Sequence, residues 1–152
     1  MKSSHPAPCK NIRVLVLDAH AGVRGAIATL VEANEDMVLV GQAASQGEAM
    51  RLCASQRPDV ALVGIALRGP NGLDAIASIR RRWPKTRIIA MGGLQEAQHG
   101  HAAFEMGAAG YVLKYVSADE LAAAIRVACA SALDDGSAAR PNAAGRKKTQ
   151  AC

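Results

Sequence analysis

The sequence predicts an open α/β fold, doubly wound about a five-stranded parallel sheet. Three observations carry that reading. Short apolar runs alternate five times with stretches of helical periodicity. The connections between them are short and rich in Gly, Pro, Ser, Asn and Asp. The third run, Asp59 to Val63, is apolar at every position after the first, as expected of a strand buried on both faces at the centre of a parallel sheet.

The elements follow in order. Ile12 to Leu17 is a β-branched and aliphatic run bounded by Asp18, and reads as the first strand. Val23, Ile27, Leu30 and Val31 then recur on one face of a helix. Met37 to Ala43 is the second strand. Ser45 and Glu48 form a capping-box pair that opens the next helix, with Ala49, Leu52 and Cys53 facing inward. After the third strand, Gly69 and Pro70 break the chain and Asn71 is placed to cap a helix that reaches Trp83 and stops at Pro84. Arg87 to Met91 is the fourth strand, and Gly92-Gly93 interrupts it. A weaker helix spans Gln95 to Met106, with Gly100 disfavouring its interior. Gly110 to Leu113 is the fifth strand. Ser117 and Glu120 make a second capping box before a helix whose inner face uses Leu121, Ile125, Ala128 and Cys129.

Right-handed crossovers restrict how five such units can wind, and the flavodoxin-like strand order 2-1-3-4-5 with helices on both faces is the expected solution. A sheet of this kind places its functional site at the carboxyl ends of its strands, where Asp18, Gly64, Gly92 and Lys114 converge.

Composition sets the limits. A chain of 152 residues, half of them apolar and a fifth charged, suits one globular domain. Between residues 11 and 133, twelve Lys and Arg oppose eleven Asp and Glu, so the folded part is nearly neutral. The surplus of positive charge lies at the ends: Lys2 and Lys10, then Arg140, Arg146, Lys147 and Lys148 against Asp134 and Asp135. Residues 1–10 read as a flexible segment without the apolar core of a signal peptide, and residues 134–152 as a disordered basic tail. Arg80, Arg81, Arg82, Lys85 and Arg87 cluster at a helix end, where cations favour the negative pole of the macrodipole. With no interleaved aromatics except Trp83, nucleic-acid binding by the cluster or the tail is not the expected function. Cys9, Cys53, Cys129 and Cys152 have no metal-type spacing, and His99 and His101 face different sides of their helix. No segment is long and apolar enough to span a bilayer, and a reducing cytoplasm fits the cysteine usage. Neither a dinucleotide fingerprint nor a P-loop is present.

Several segments together resemble the receiver domain of bacterial two-component response regulators. They are Ile12-Arg-Val-Leu-Val-Leu-Asp18, Val40-Gly-Gln-Ala, Arg57-Pro-Asp-Val, Gly72-Leu-Asp-Ala, Ala108-Ala-Gly-Tyr-Val-Leu-Lys114, Ser117-Ala-Asp-Glu-Leu and Ala124-Ile-Arg. The resemblance covers residues 11–133 and is similar to the branch that usually precedes a helix-turn-helix. The 152 residues end before such a domain, so operator reading by this chain is not expected.

In that family, two acidic residues after the first strand and an aspartate ending the third hold Mg²⁺, and the aspartate accepts a phosphoryl group. The ion offsets the charge that develops on the transferred group. A hydroxyl after the fourth strand and a lysine after the fifth bind its oxygens. The resemblance maps these roles onto Asp18, Ala19, Gly64, Gly92 and Lys114. Only Asp18 and Lys114 keep the required chemistry, because Gly64 offers no nucleophile, Ala19 no second acid and Gly92 no hydroxyl. Asp59 lies at the opposite end of its strand, about 16 Å away at strand rise, and cannot stand in. Asp18 alone is expected to hold Mg²⁺ weakly at most; no cofactor and no catalytic residue are expected. Asp18 and Lys114 could instead be structural, capping the first helix or pairing with each other.

The resemblance therefore implies a degenerate receiver, not an enzyme, working through protein contacts without phosphorylation. Its partner would be another response regulator, a histidine kinase or a second copy. Receivers commonly pair through the fourth helix, fifth strand and fifth helix, which here carry Phe104, Tyr111 and Tyr115. Helical spacing leaves open whether Phe104 and Met106 are exposed there or buried. Two alternatives stand beside this reading: a small-ligand sensor using the space left at Ala19, Gly64 and Gly92, and a tail-mediated nucleic-acid-binding protein.

Overall fold

The structure is a computed structural model that describes residues 11–66, 72–93 and 100–134. Its elements are β1 (Ile12–Leu17), α1 (Ala21–Glu32), β2 (Met37–Ala43), α2 (Gln46–Gln56), β3 (Val60–Gly64), α3 (Gly72–Arg82), β4 (Arg87–Gly92), α4 (Gly100–Met106), β5 (Gly110–Leu113) and α5 (Ala118–Asp134). The strands form one parallel sheet in the order β2-β1-β3-β4-β5. This is the expected doubly wound topology.

The period of two in each strand builds the two halves of the core. Ile12, Val14, Val16, Val60, Leu62, Ile89 and Met91 point to one face, where Ile27 and Val31 of α1 and Leu121 and Ile125 of α5 cover them. Leu15, Leu17, Ala61, Val63, Ile88 and Ala90 point to the other, under Ala49 and Cys53 of α2, Ile76 and Ile79 of α3, and Ala103 of α4. β1 and β3 are buried almost throughout because they have strands on both sides and helices on both faces.

The capping readings at Ser45 and Ser117 hold. Ser45 accepts the Glu48 N–H at 3.3 Å, and the Glu48 carboxylate accepts from Ala44 N at 2.8 Å. At α5, Ser117 Oγ accepts the Glu120 N–H at 3.1 Å while Glu120 accepts from Ser117 N at 3.3 Å, the reciprocal pair of a capping box. α2 ends with Arg57 in the left-handed conformation (φ 47°), directly before Pro58, which cannot continue a helix.

Several boundaries differ from the sequence reading: β3 ends at Gly64 and not Val63, and α3 ends at Arg82, one residue short of Trp83. β3 starts at Val60; Asp59 just before it still bonds Arg13 O through its N–H and accepts from Arg87 N, both at 2.8 Å, while its carboxylate accepts the Arg13 N–H at 2.9 Å at the amino end of the sheet. β4 runs through Gly92, which pairs with Leu113, so the glycines do not interrupt it after Met91. α5 extends to Asp134, one residue into the stretch assigned to the tail. Residues 1–10 and 135–152, the capping position Asn71, His99 and the first part of the fourth helix lie outside the described residues.

Candidate functional site

Parallel strands end together, and the carboxyl ends of β1, β3, β4 and β5 gather Asp18, Gly64, Gly92 and Lys114 as expected. Asp18 follows β1 and its side chain is 0% exposed. Burial of a carboxylate is costly unless it is paired, and Asp18 is paired on both oxygens. Oδ1 accepts the backbone N–H of His20 at 2.8 Å, and the His20 imidazole stands 3.5 Å from the same atom. Oδ2 faces the Lys114 ammonium at 3.0 Å, an ion pair in which the lysine side chain is only 8% exposed and the approach is not that of an aligned hydrogen bond. Of the two structural roles open for Asp18, the pairing with Lys114 is present and the capping of α1 is not: the N-cap is His20, without a side-chain cap hydrogen bond, and Asp18 holds only the His20 N–H ahead of the helix.

The Asp18 carboxylate also lies directly over Gly64. A Cβ placed on Gly64 would sit 2.5 Å from Asp18 Oδ2 and 3.1 Å from its Cγ. From the other side, Gly72 at the start of α3 is pressed against the Gly64 carbonyl, and its N–H donates to Ile65 O at 2.8 Å. A Cβ on Gly72 would collide with that backbone, so the close approach of α3 to the end of β3 requires glycine there. The space that a side chain at position 64 would occupy is therefore already taken.

Ala19 is half-buried beside Asp18 and adds no polar group. Gly92 is buried, and its carbonyl accepts the Lys114 N–H at 2.9 Å, which fixes the lysine's backbone where β5 gives way to the turn before α5. Arg24 Nη1 donates to the Asp18 carbonyl oxygen at 2.6 Å. Sequence reasoning missed Arg24 and His20, because neither is marked by a motif; only the turn of α1 back over β1 brings them to the site. With one carboxylate among Lys114, His20 and Arg24, the site is poor in the oxygen ligands that a hard divalent cation needs. Among the described residues, no group of three His, Cys, Asp or Glu side chains could hold a metal ion.

The expected interaction face divides. Phe104 is 51% exposed and Tyr115 83%, and Met106, Leu113 and Val127 are exposed as well, which settles the question left open by helical spacing. Tyr111 behaves differently. It is half-buried and its hydroxyl oxygen is buried; its ring lies alongside Gly100 of α4, within 3.5 Å of where a Cβ would be. Tyr111 therefore packs between β5 and α4, while Phe104 and Tyr115 form the exposed part.

The basic cluster follows the helix-end reading. Arg80 donates to Pro84 O at 2.8 Å, the Arg82 guanidinium stands 4.8 Å from the centre of the Trp83 ring, and Arg87 donates to Ser131 O at 3.3 Å. Cys53 is a free, fully buried thiol, and burial raises its pKa to about 11. Cys129 is also buried but is not a free thiol. On the far side of the molecule, Arg126 of α5 grips Asp36 through Nε (2.8 Å) and Nη2 (3.1 Å) and reaches Asn34 Oδ1 at 3.0 Å. The hydrogen bond from Arg126, more than its charge, lowers the Asp36 pKa. No helix among the described residues is long and apolar enough to cross a membrane.

Comparison with known proteins agrees with this architecture. Residues 14–126 match the response regulator receiver domain family. The chain is 35% identical over 117 residues to the transcriptional regulatory protein LiaR of Bacillus subtilis, covering 77% of this chain and 56% of LiaR. It is 33% identical to the response regulator GacA of Pseudomonas viridiflava, covering 76% and 54%. It spans about half the length of the curated relatives it matches. Among solved structures, a LuxR-family two-component response regulator from Aurantimonas superposes with a TM-score of 0.73 at 34% identity, covering 78% of this chain and 85% of the other. The receiver domain of the putative response regulator NarL from Mycobacterium tuberculosis superposes with a TM-score of 0.74 at 26% identity, covering 80% and 98%. By sequence and by fold, this chain belongs to the response regulator receiver domain family of two-component signalling.

Proposed function

We propose that the chain is a pseudo-receiver, an interaction module of two-component signalling that does not take a phosphoryl group. One observation carries the reading. Position 64, at the end of β3, has no side chain, and the Asp18 carboxylate paired with Lys114 occupies the space above it. The degenerate pocket of Asp18, Ala19, Gly64, Gly92 and Lys114 then serves as a buried ion pair that joins β1 to the turn after β5. The ammonium of Lys114 takes the place of a bound cation. Output runs through the surface of α4, β5 and α5, where Phe104 and Tyr115 are exposed, toward another response regulator, a histidine kinase or a second copy. Residues 11–133 form the receiver unit, and the basic termini are dispensable for this contact. A ligand in a vacated pocket has less support, since the room at Gly64 is filled from within.

The test is incubation with acetyl phosphate and Mg²⁺, followed by intact-mass measurement. No added phosphoryl mass is expected. A near-stoichiometric, base-labile adduct overturns the proposal.

A further inference from the structure

Cys129 of α5 is buried, and its sulfur is disulfide-bonded. Cys53 is a free thiol in the core half on the opposite face of the sheet. Within this chain, the other half of the bond is therefore Cys9 or Cys152, both outside the described residues. The position of Cys129 decides between them.

The last turns of α5 lie at the amino end of the sheet. Arg87, the first residue of β4, donates to Ser131 O at 3.3 Å. The Arg87 N–H donates to Asp59 O and the Asp59 N–H to Arg13 O, both at 2.8 Å, so Ser131 stands level with the beginnings of β3 and β1. Earlier on α5, Arg126 holds the Asp36 carboxylate at 2.8 Å, and the Asp36 carbonyl accepts the Ile12 N–H at 2.8 Å. Cys129 lies between these two anchors, in the same apolar cluster as Ile12, Val31 and Met37. The chain enters β1 at this spot, and Asn11 turns it there through a left-handed φ of 52°. Cys9 precedes Ile12 by three residues, a reach of about 10 Å at about 3.5 Å per residue. Cys152 follows Asp134 by about 18 residues, and a thiol on so long a tether closes the bond at a larger entropic cost.

We infer that Cys9 and Cys129 form a redox-dependent staple between the segment ahead of β1 and the C-terminal half of α5. The oxidant is a low-molecular-weight disulfide of the glutathione class. The Cys9 sulfur attacks it, one small thiol leaves, and a mixed disulfide remains on Cys9. The Cys129 sulfur then attacks the Cys9 sulfur, and the second small thiol leaves. Two protein thiols are thereby oxidised, their two protons pass to the two small thiols, and the small disulfide is reduced. This order follows from the burial of Cys129, which shields it from a reagent until Cys9 delivers the exchange. Reduction reverses the steps. The fold tolerates the open state, because a Cys129 thiol among Ile12, Val31 and Ile125 packs as a small apolar group. The closed state spans a loop of about 120 residues, where a cross-link restricts the unfolded chain strongly.

The test uses the full chain equilibrated with oxidised or reduced glutathione, quenched with a maleimide and digested with trypsin without reductant. The oxidised protein should yield the peptides 3–10 and 127–146 joined as one mass, and the reduced protein should yield each of them alkylated. Thermal melts should show the oxidised form at least about 5 °C more stable than the reduced form. Cys9→Ser should melt alike in both buffers and close to the reduced parent, whereas Cys152→Ser should keep the full shift. Peptide 127–146 joined to 149–152, or alkylated in the oxidised protein, overturns the inference. So does a redox shift that survives Cys9→Ser, a link between two copies of the chain, or a bond that millimolar reduced glutathione leaves intact in the native protein. The peptide map of the parent decides the pairing even if a variant folds poorly. Neither readout involves phosphoryl uptake, so the result stands apart from the pseudo-receiver reading.

Discussion

Restoring a carboxylate at the end of β3 by Gly64→Asp should destabilise the protein without making it a phospho-acceptor. The new Cβ would lie 2.5 Å from Asp18 Oδ2, so Asp18 or the β3 end must move, an overpacking cost of about 1–3 kcal/mol. The variant also brings a second carboxylate to a site where the first is fully buried. Two like charges roughly 4 Å apart at an effective dielectric constant of about 20 repel by about 4 kcal/mol, and the Lys114 ammonium, shared between them, offsets part of this. Loss of glycine from a strand returns roughly 0.5–1 kcal/mol. The net expectation is a loss of about 2–4 kcal/mol at pH 7. Gly64→Asn has the same size without the charge and should lose only the steric part, about 1–2 kcal/mol. Urea denaturation of both variants against the parent measures the difference. If Gly64→Asp is within about 0.5 kcal/mol of the parent at pH 7 and also gains a phosphoryl group from acetyl phosphate, the account of a pocket occupied by Asp18 is wrong. The triple variant Ala19→Asp, Gly64→Asp, Gly92→Thr supplies a second acid and a hydroxyl, and has the better prospect of phosphorylation.

The remaining predictions concern other parts of the molecule. Asp36→Asn should cost about 0.5–1 kcal/mol at pH 7, since Arg126 is half exposed and solvent screens the pair. Because the folded-state pKa of Asp36 is depressed, its contribution is present above the ordinary value of 3.8 and lost as pH falls through the folded pKa; parent and variant should converge in urea melts as the pH is taken progressively below 3.8. Cys53, fully buried and with its pKa raised to about 11, should resist a thiol reagent at pH 8 in the native protein and react once urea is added, as read by peptide mass mapping. Tyr115→Asp should leave stability within about 0.5 kcal/mol yet weaken a partner recovered from native lysate by about 1–2 kcal/mol or more. Deleting residues 136–152 should leave that binding within a small factor, and the opposite pair of results would move function to the basic tail.

Local chemistry made most of the fold legible. Each strand alternates or saturates with apolar side chains, Ser45 and Ser117 mark helix starts, Pro58 and Pro84 mark stops, and these are short-range preferences written in neighbouring residues. Handedness then reduced the possible windings to the observed order, because a right-handed crossover is the one that packs a helix back onto a twisted parallel sheet. The strand ends that converge could be read in the same way, and so could the missing side chains at positions 19, 64 and 92. What those side chains do in three dimensions could not. That Asp18 lies over Gly64 and meets Lys114 depends on how β1, β3 and β5 stack side by side, a relation between residues far apart in the chain. The exposure of Phe104 and Met106 depends on how α4 is rotated against β5, and Tyr111 turns inward because Gly100 leaves room for its ring. The grip of Arg126 on Asp36 joins residues 90 positions apart, for which no local pattern exists. Burial, pairing and the direction of a side chain are properties of packing, so only the tertiary structure decided whether the pocket was empty or filled from within.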